Sequence, residues 1–543
     1  MLTMLWAKES DQTGSSNGIY VNILRDLKDR NATAMPEKKS MERKRIFDLT
    51  ECLRLKGNQQ FGEQLFEQAM ECYNRSLCYA EKDSVQMAKA YANRSACFFS
   101  MKMYNKCLTD IELAQAANCP TLIRTKLEQR RADCLRLIDE NNSVEDVSHF
   151  AMPQLSFKSN AKIPFMANVL DLQYNSEFDI HVVAKRDIDV GKTIIVEPFY
   201  AYVPGTDESG CSVCGKSEPS NFIPCDTCAE TMFCSKECAK TSHHNIECIN
   251  GVFYGDLKKD DPSTLMRTMM FQFVVRTIAK AFCMFGNVTD FISFVEQCID
   301  ENQTNVPSME DDRSTYGAFL KVLRHKDYVP KELCTDAIAF AYESLMKSDI
   351  GKGFVLEAQQ NFLAHLIWHH LSIGLLINEC RWSDFDQLDS SLTLTSSFTT
   401  FSCTPNTVIC SVNGYRVLTT VRPIKSDEKI MISRFGDHLN DEPTEVEELL
   451  SATKRNVKCS CDRCAKRSAS PAERLAMRKD PHYHIVQQNH SNEPNDMSEN
   501  LRLRGNAIEF LRKFGRSTWC PEIALAVDCM DKCISFQCRK GKK

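Results

Sequence analysis

Residues 211–248 read CSVCGKSEPSNFIPCDTCAETMFCSKECAKTSHHNIEC, and their spacing decides how the rest of the chain is read. Cys211 and Cys214 form one short pair, Cys225 and Cys228 a second, and Cys234 and Cys238 a third; His244 and Cys248 close the series. Pairs this short put two ligand atoms on one tight turn, as tetrahedral Zn2+ requires. Eight ligands fill two closed sites, leaving no position for a reactive water and making the role structural. His243 stands beside His244 as an alternative ligand, and the His-x-x-x-Cys spacing favours His244. A disulfide cluster is the competing reading and needs an oxidising compartment. Met1–Trp6 is a short apolar patch that runs into Lys8, which is not the pattern of a secretory signal.

With 543 residues the chain is too long for one core, and two to four domains are expected. A hydrophobic content of 43% and a charged content of 26% describe a soluble globular protein. The net charge of −5 counts against nucleic-acid binding through general basicity. The apolar stretch Phe362–Ile377 contains His365, His369 and His370, which makes it a buried helix rather than a membrane span. Twenty-seven cysteines without a signal peptide imply a reducing compartment, cytoplasmic and nuclear, with thiols divided between metal sites and packed cores. Lys38-Lys39 and Arg43-Lys44-Arg45 read as a solvated helix start or a weak import patch.

Residues 1–40 form a flexible N-terminal segment with one amphipathic stretch, Ile19–Leu27. From 45 to 140 the pattern is helical and repeats. Gly57, Phe61, Phe66, Ala69, Tyr73 and Leu77 place small and aromatic residues as a tetratricopeptide (TPR) hairpin requires. Ser95, Tyr104, Cys107, Ile111 and Ala114 restate the pattern, and Ala132 begins a third, incomplete unit. Within this array, Arg54, Asn58, Asn93, Lys126 and Arg130 resemble the carboxylate clamp of co-chaperone TPR domains. That resemblance implies heat-shock chaperone C-terminal tails as partners, gripped by cations and amides on one concave face. The competing reading is an ordinary solvated helix face.

On either side of the cysteine-rich segment lie two strand-rich stretches. Phe178–Phe199 alternates apolar residues (Val182, Ala184, Ile188) and carries Gly191, which suggests two short strands joined by a tight turn. Far downstream come Phe401-Ser402-Cys403-Thr404-Pro405-Asn406-Thr407, Val417–Val421, Pro423-Ile424, Glu428 and Ile430, and then Phe435-Gly436. This half ends in Cys459-x-Cys461-x-x-Cys464. The whole order resembles the SMYD (SET- and MYND-domain) family of protein-lysine methyltransferases, and the N-terminal repeats point to its fourth-member branch. The resemblance implies an α+β multidomain fold: an N-terminal TPR-like helical array and a β-rich SET domain split by a zinc-binding MYND finger, with a helical insertion. The SET halves would be 150–205 and 381–465, the finger 211–248 and the insertion 254–380. Residues 466–543 would be a linker and C-terminal helices, with His482–Asn500 as linker and Leu501–Phe514 and Pro521–Phe536 as closing helices.

The same resemblance assigns one Zn2+ to Cys211, Cys214, Cys234 and Cys238, and another to Cys225, Cys228, His244 and Cys248. It adds a third, held by Cys403, Cys459, Cys461 and Cys464, and proline-containing peptides as partners of the finger. S-adenosyl-L-methionine is the cofactor it implies, at the positions of Asp179, Ile180, His181, Thr400 and Phe401. Those positions depart from the family pattern. Asp179 replaces a glycine that approaches the cofactor closely, and Thr400-Phe401 replace an Asn-His pair. Phe435 stands at the position of the catalytic tyrosine and has no hydroxyl to orient an incoming amine. Arg455-Asn456-Val457 replace the aromatics that wall the lysine channel. The expected function is therefore a protein-interaction scaffold with weak or lost methyl transfer; the alternative is an active protein-lysine N-methyltransferase acting on a histone or non-histone substrate. Met269, Met270, Phe271 and Phe273 read as core, as do His365, Trp368, His369 and His370, while Cys529, Cys533 and Cys538 read as helix-face thiols.

Overall fold

The computed structural model describes residues 47–140, 153–174, 180–204, 210–216, 220–229, 231–250, 262–299, 307–322, 331–377, 379–383, 387–433, 461–489 and 493–540. Residues 1–40, Asp179, Phe435, Arg455-Asn456-Val457 and Cys459 lie outside the described residues.

The described residues open with an array of helices, α1 (Phe47–Gly62), α2 (Phe66–Tyr79), α3 (Val85–Ser100), α4 (Tyr104–Ala116) and α5 (Thr121–Asp139), each packed on the next. Gly57 shows why small residues recur here. A Cβ on it would meet the Tyr73 ring at 2.6 Å, so only glycine lets α1 and α2 approach this closely. Ala69, Tyr73, Leu77, Cys107, Ile111 and Ala114 are all buried in the array's core. Ser84 caps α3 by accepting from the Met87 N–H. The last helix already starts at Thr121, behind Pro120, so Ala132 lies inside it rather than opening a unit.

Strands β1 (Leu170–Tyr174) and β2 (Ile180–Ala184) pair antiparallel. β3 (Thr193–Pro198) joins a different sheet, beside β11 (Tyr415–Thr420), which in turn pairs with β10 (Thr407–Val412). The two strands foreseen in 178–199 therefore exist but do not form a hairpin. The segment between them bonds elsewhere: Ile188 bridges Ile424, and the Gly191 N–H donates to the Thr420 carbonyl at a φ of +77°. β4 (Ala201–Val203) leads to the cysteine-rich segment, which holds β5 (Ile223–Pro224), β6 (Met232–Phe233), α6 (Lys236–Ala239) and α7 (Ser242–Asn250).

The helical stretch that follows holds α8 (Pro262–Phe282), α9 (Val288–Ile299), α10 (Asp312–Leu320), α11 (Lys331–Lys347) and α12 (Glu357–Ile377). It shares one core with β2, β3 and β4. Met269, Met270, Phe271 and Phe273 are buried there, as foreseen. His369 bonds the Leu320 carbonyl at 2.9 Å, and His370 lies 2.9 Å from the Thr277 hydroxyl and 3.1 Å from that of Tyr316. These histidines are core groups with partners. No described helix is long and apolar enough to cross a membrane.

The chain returns through β7 (Glu379–Ser383) and β8 (Gln387–Leu392), which pair beside β4. β9 (Thr400–Phe401) then pairs parallel with β12 (Met431–Ile432), and Asn406 fixes the crossing. Its side chain accepts from the Met431 N–H at 2.7 Å and donates to the Lys429 carbonyl at 2.9 Å.

The C-terminal part corrects one expectation. His482–Asn500 is not a linker: α13 (Pro471–Arg478) and α14 (Pro481–Asn489) precede α15 (Met497–Phe514) and α16 (Pro521–Lys540). Proline at the first position favours α14, the Asp480 carboxylate accepts from the His482 N–H, and Tyr483 and Val486 are buried. Glu522, also buried, accepts from Arg474 and Arg478 and ties α16 to α13. Cys529 and Cys533 are buried on α16, as read, and the Cys538 sulfur lies against that of Cys410 of β10.

Candidate metal centres and cofactor corner

Cys211 and Cys214 stand on one turn after β4, and Gly215 turns the chain at a φ of +71°. Cys234 follows β6, and Cys238 lies on α6, whose N-cap Ser235 accepts from the Cys238 N–H. The four Sγ atoms converge, each within 4.8 Å of the others. A second group, Cys225, Cys228, His244 and Cys248, converges within the same limit. His244 faces its neighbours through Nε2, 3.1 Å from Cys225 Sγ and 3.8 Å from Cys228 Sγ. Its Nδ1 faces Glu247 Oε2 at 3.9 Å. These donor sets fit Zn2+, as four thiolates and as three thiolates with one imidazole. A carboxylate behind the imidazole is the usual support for a metal-bound histidine.

Glu247 is itself held by Arg276 of α8, with Nε donating at 2.6 Å and Nη2 at 2.9 Å. Arg276 also donates to the Ser212 carbonyl at 2.6 Å and to the Tyr202 carbonyl. Sequence reading missed both residues. The one signal available was the position of Glu247, one residue before Cys248 and one helical turn after His244.

Cys403, Cys461 and Cys464 form a third convergent group, with Cys403 Sγ 3.6 Å from Cys464 Sγ. Three thiolates fit a zinc site that takes one more ligand. The C-terminal segment braces this group: the Trp519 N–H donates to Asp462, and the half-buried Arg422 bonds the carbonyls of Thr404 and Gly515.

Ile180 and His181 of β2 and Thr400 and Phe401 of β9 are brought to one corner. Thr400 Oγ1 lies 3.4 Å from His181 Nδ1. The backbone N–H groups of Thr400 and Ser402 are spent on the carbonyls of Ile430 and Ile432. The Thr400 hydroxyl thus faces His181, while the Thr400 and Ser402 N–H groups are taken up by strand pairing. Just behind the corner, Glu197 is fully buried and accepts from the N–H groups of Leu394, Thr395 and Ser396. Burial pushes its carboxyl up to about 7 against those bonds.

Of the array residues singled out, Asn58 and Asn93 touch at 2.7 Å, and Asn58 also meets the Tyr73 hydroxyl at 2.9 Å. Arg54 lies alongside but pairs with Glu51 of its own helix. Arg130 Nη1 bonds the Ala92 carbonyl and the Ser95 hydroxyl, and Lys126 is exposed.

No family model matches the chain. Among curated proteins, it is 25% identical over 219 residues to "Protein-lysine N-methyltransferase SMYD4" of Danio rerio, covering 36% of this chain and 28% of that one. The Homo sapiens protein of the same name is 23% identical over 327 residues, 47% of this chain and 40% of its own. The chain is thus similar, over part of its length, to SMYD4 protein-lysine N-methyltransferases. The matched part spans less than half the length of these SMYD4 relatives.

Proposed function

We propose that the chain is a SET–MYND protein with an N-terminal TPR array, acting as a protein-interaction scaffold in which S-adenosylmethionine-dependent methyl transfer is weak or lost. The observation that supports this is the contact of the Thr400 hydroxyl with His181 Nδ1 at 3.4 Å, at positions the resemblance gives to the cofactor. Phe435 adds to it, since one lost positioned donor typically costs about 10² to 10³ in rate. Three Zn2+ ions would hold the molecule together: two in the MYND finger, and one on Cys403, Cys459, Cys461 and Cys464. Bound zinc of this kind supplies folding free energy rather than chemistry. Acidic tails of heat-shock chaperones at the array and proline-containing peptides at the finger are the proposed partners, in the cytoplasm and nucleus.

The second reading is an active protein-lysine N-methyltransferase, favoured by the names its SMYD4 relatives carry. Calorimetric titration with S-adenosylmethionine, followed by a methyl-transfer assay on histones and other lysine-bearing proteins, separates the two. Weak or absent heat with no transfer supports the scaffold. Saturable transfer by the unmodified chain establishes the enzyme.

A further inference from the structure

Two buried arginines from different helices grip the cysteine-rich segment. Arg276 does so from α8, through Glu247 and the Ser212 carbonyl. Arg94 does so from α3 of the N-terminal array. Its side chain is 0% exposed and pairs with both oxygens of Asp110 at 2.7 Å. One further N–H reaches the Phe222 carbonyl at 2.8 Å. Asn221 completes the contact, donating to Asp110 Oδ1 at 2.7 Å and to the Lys106 carbonyl at 2.8 Å. At the rim, Lys82 meets Asp226 at 2.7 Å, and Met232 packs against the array's core.

Asn221, Phe222 and Asp226 all lie on the stretch that carries Cys225 and Cys228. We infer that this turn, shaped by the ion at the second metal group, is the docking partner of the N-terminal array. Ion occupancy then decides whether the array is held against the body. The reasoning rests on the zinc reading above. The core around this turn consists of the buried Cys225, Cys228 and Phe233, with Val213, Ile223, Ala239 and two further cysteines partly buried against them, too little apolar surface to fix the turn alone. With the ion gone, Phe222 and Asn221 leave their positions, Arg94 loses a carbonyl and Asp110 loses an amide. Asn74 still accepts from Arg94, but a buried ion pair that loses two of its supporting hydrogen bonds is costly to keep. By linkage, the docked array tightens the hold on the ion by the same factor as the ion tightens docking.

The test uses the full chain. Elemental analysis first fixes its zinc content. A carbodiimide then joins Lys82 to Asp226 wherever the two touch, and mass spectrometry counts the product before and after chelation. The Lys425–Asp187 pair, within the strand-rich body, serves as the control for general unfolding. The Lys82–Asp226 product is expected to fall at least tenfold on chelation and to return with added zinc, while the control product stays. Persistence of the Lys82–Asp226 product after zinc is stripped overturns the inference and leaves the zinc reading intact. A chain that holds no zinc overturns both. Asn221→Ala and Arg94→Lys, which spare every metal ligand, should speed zinc loss to a chelator roughly tenfold, the effect of losing an outer support. Unchanged release in both variants also overturns the inference.

Discussion

At the scale of single residues, the metal ligands were legible and their supports were not. Zinc chemistry demands thiols at short spacing, so Cys211–Cys248 announces itself. Nothing in helical periodicity separates the buried Arg94 or Arg276 from the solvated arginines around them, because their partners lie far away in the chain. Glu197 was equally silent, since its partners are backbone groups near residue 395. It carries a testable consequence. Its carboxyl value is raised in the fold, from 4.5 to about 7, chiefly by burial. Its contribution to stability is complete below about pH 4.5 and is lost as the pH rises through about 7, up to about 3 kcal/mol. Glu197→Gln keeps an acceptor oxygen and cannot ionise. Denaturant melts at pH 5 and pH 8 should therefore fall less with pH in the variant; equal falls would contradict the assignment.

At the scale of elements, the array and the insertion were readable because their small and apolar residues recur at helical spacing. The linker at His482–Asn500 was misread because polar side chains hid a helix set by Pro481 and Asp480. The Cys410–Cys538 contact brings together residues 128 apart, a distance over which sequence pattern carries no signal. Helix α12 supplies a prediction of opposite sign to that of Glu197. Burial pushes His369 down to about 4 and His370 well below its ordinary value. Stability from these rings is present above about pH 6.5 and lost as the pH falls toward 4. His369→Gln, which keeps a donor for Leu320 and does not titrate, should flatten the acid slope of the melting midpoint. For the array, peptides ending in Glu-Glu-Val-Asp should bind with micromolar affinity, worth about 8 kcal/mol. Lys126→Ala should cost roughly 1.5–3 kcal/mol of that. The structure adds a competitor: Glu51 already engages Arg54, so Glu51→Gln should tighten binding. Calorimetry with free and amidated peptides checks all three, and equal binding of the two peptides removes the clamp.

At the scale of the whole molecule, purified protein should carry close to three zinc ions by elemental analysis. Cys403→Ala should lose one and lower the melting temperature, because Cys403, Cys461 and Cys464 bring residues 61 apart into one group. Two ions in the intact chain would remove the third site. The tie between Arg94 and Phe222 also bears on biosynthesis. The array is made first, yet its buried guanidinium waits for a carbonyl 128 residues further on. At roughly 5–20 residues per second, that is about 6 to 25 seconds of translation during which the pair lacks its cap. The sheet waits longer still, since Lys192 bonds Thr420 across 228 residues. The nascent chain thus emerges with an N-terminal array whose buried pair is still uncapped, ahead of an unclosed body, and this interval is when folding helpers would matter most.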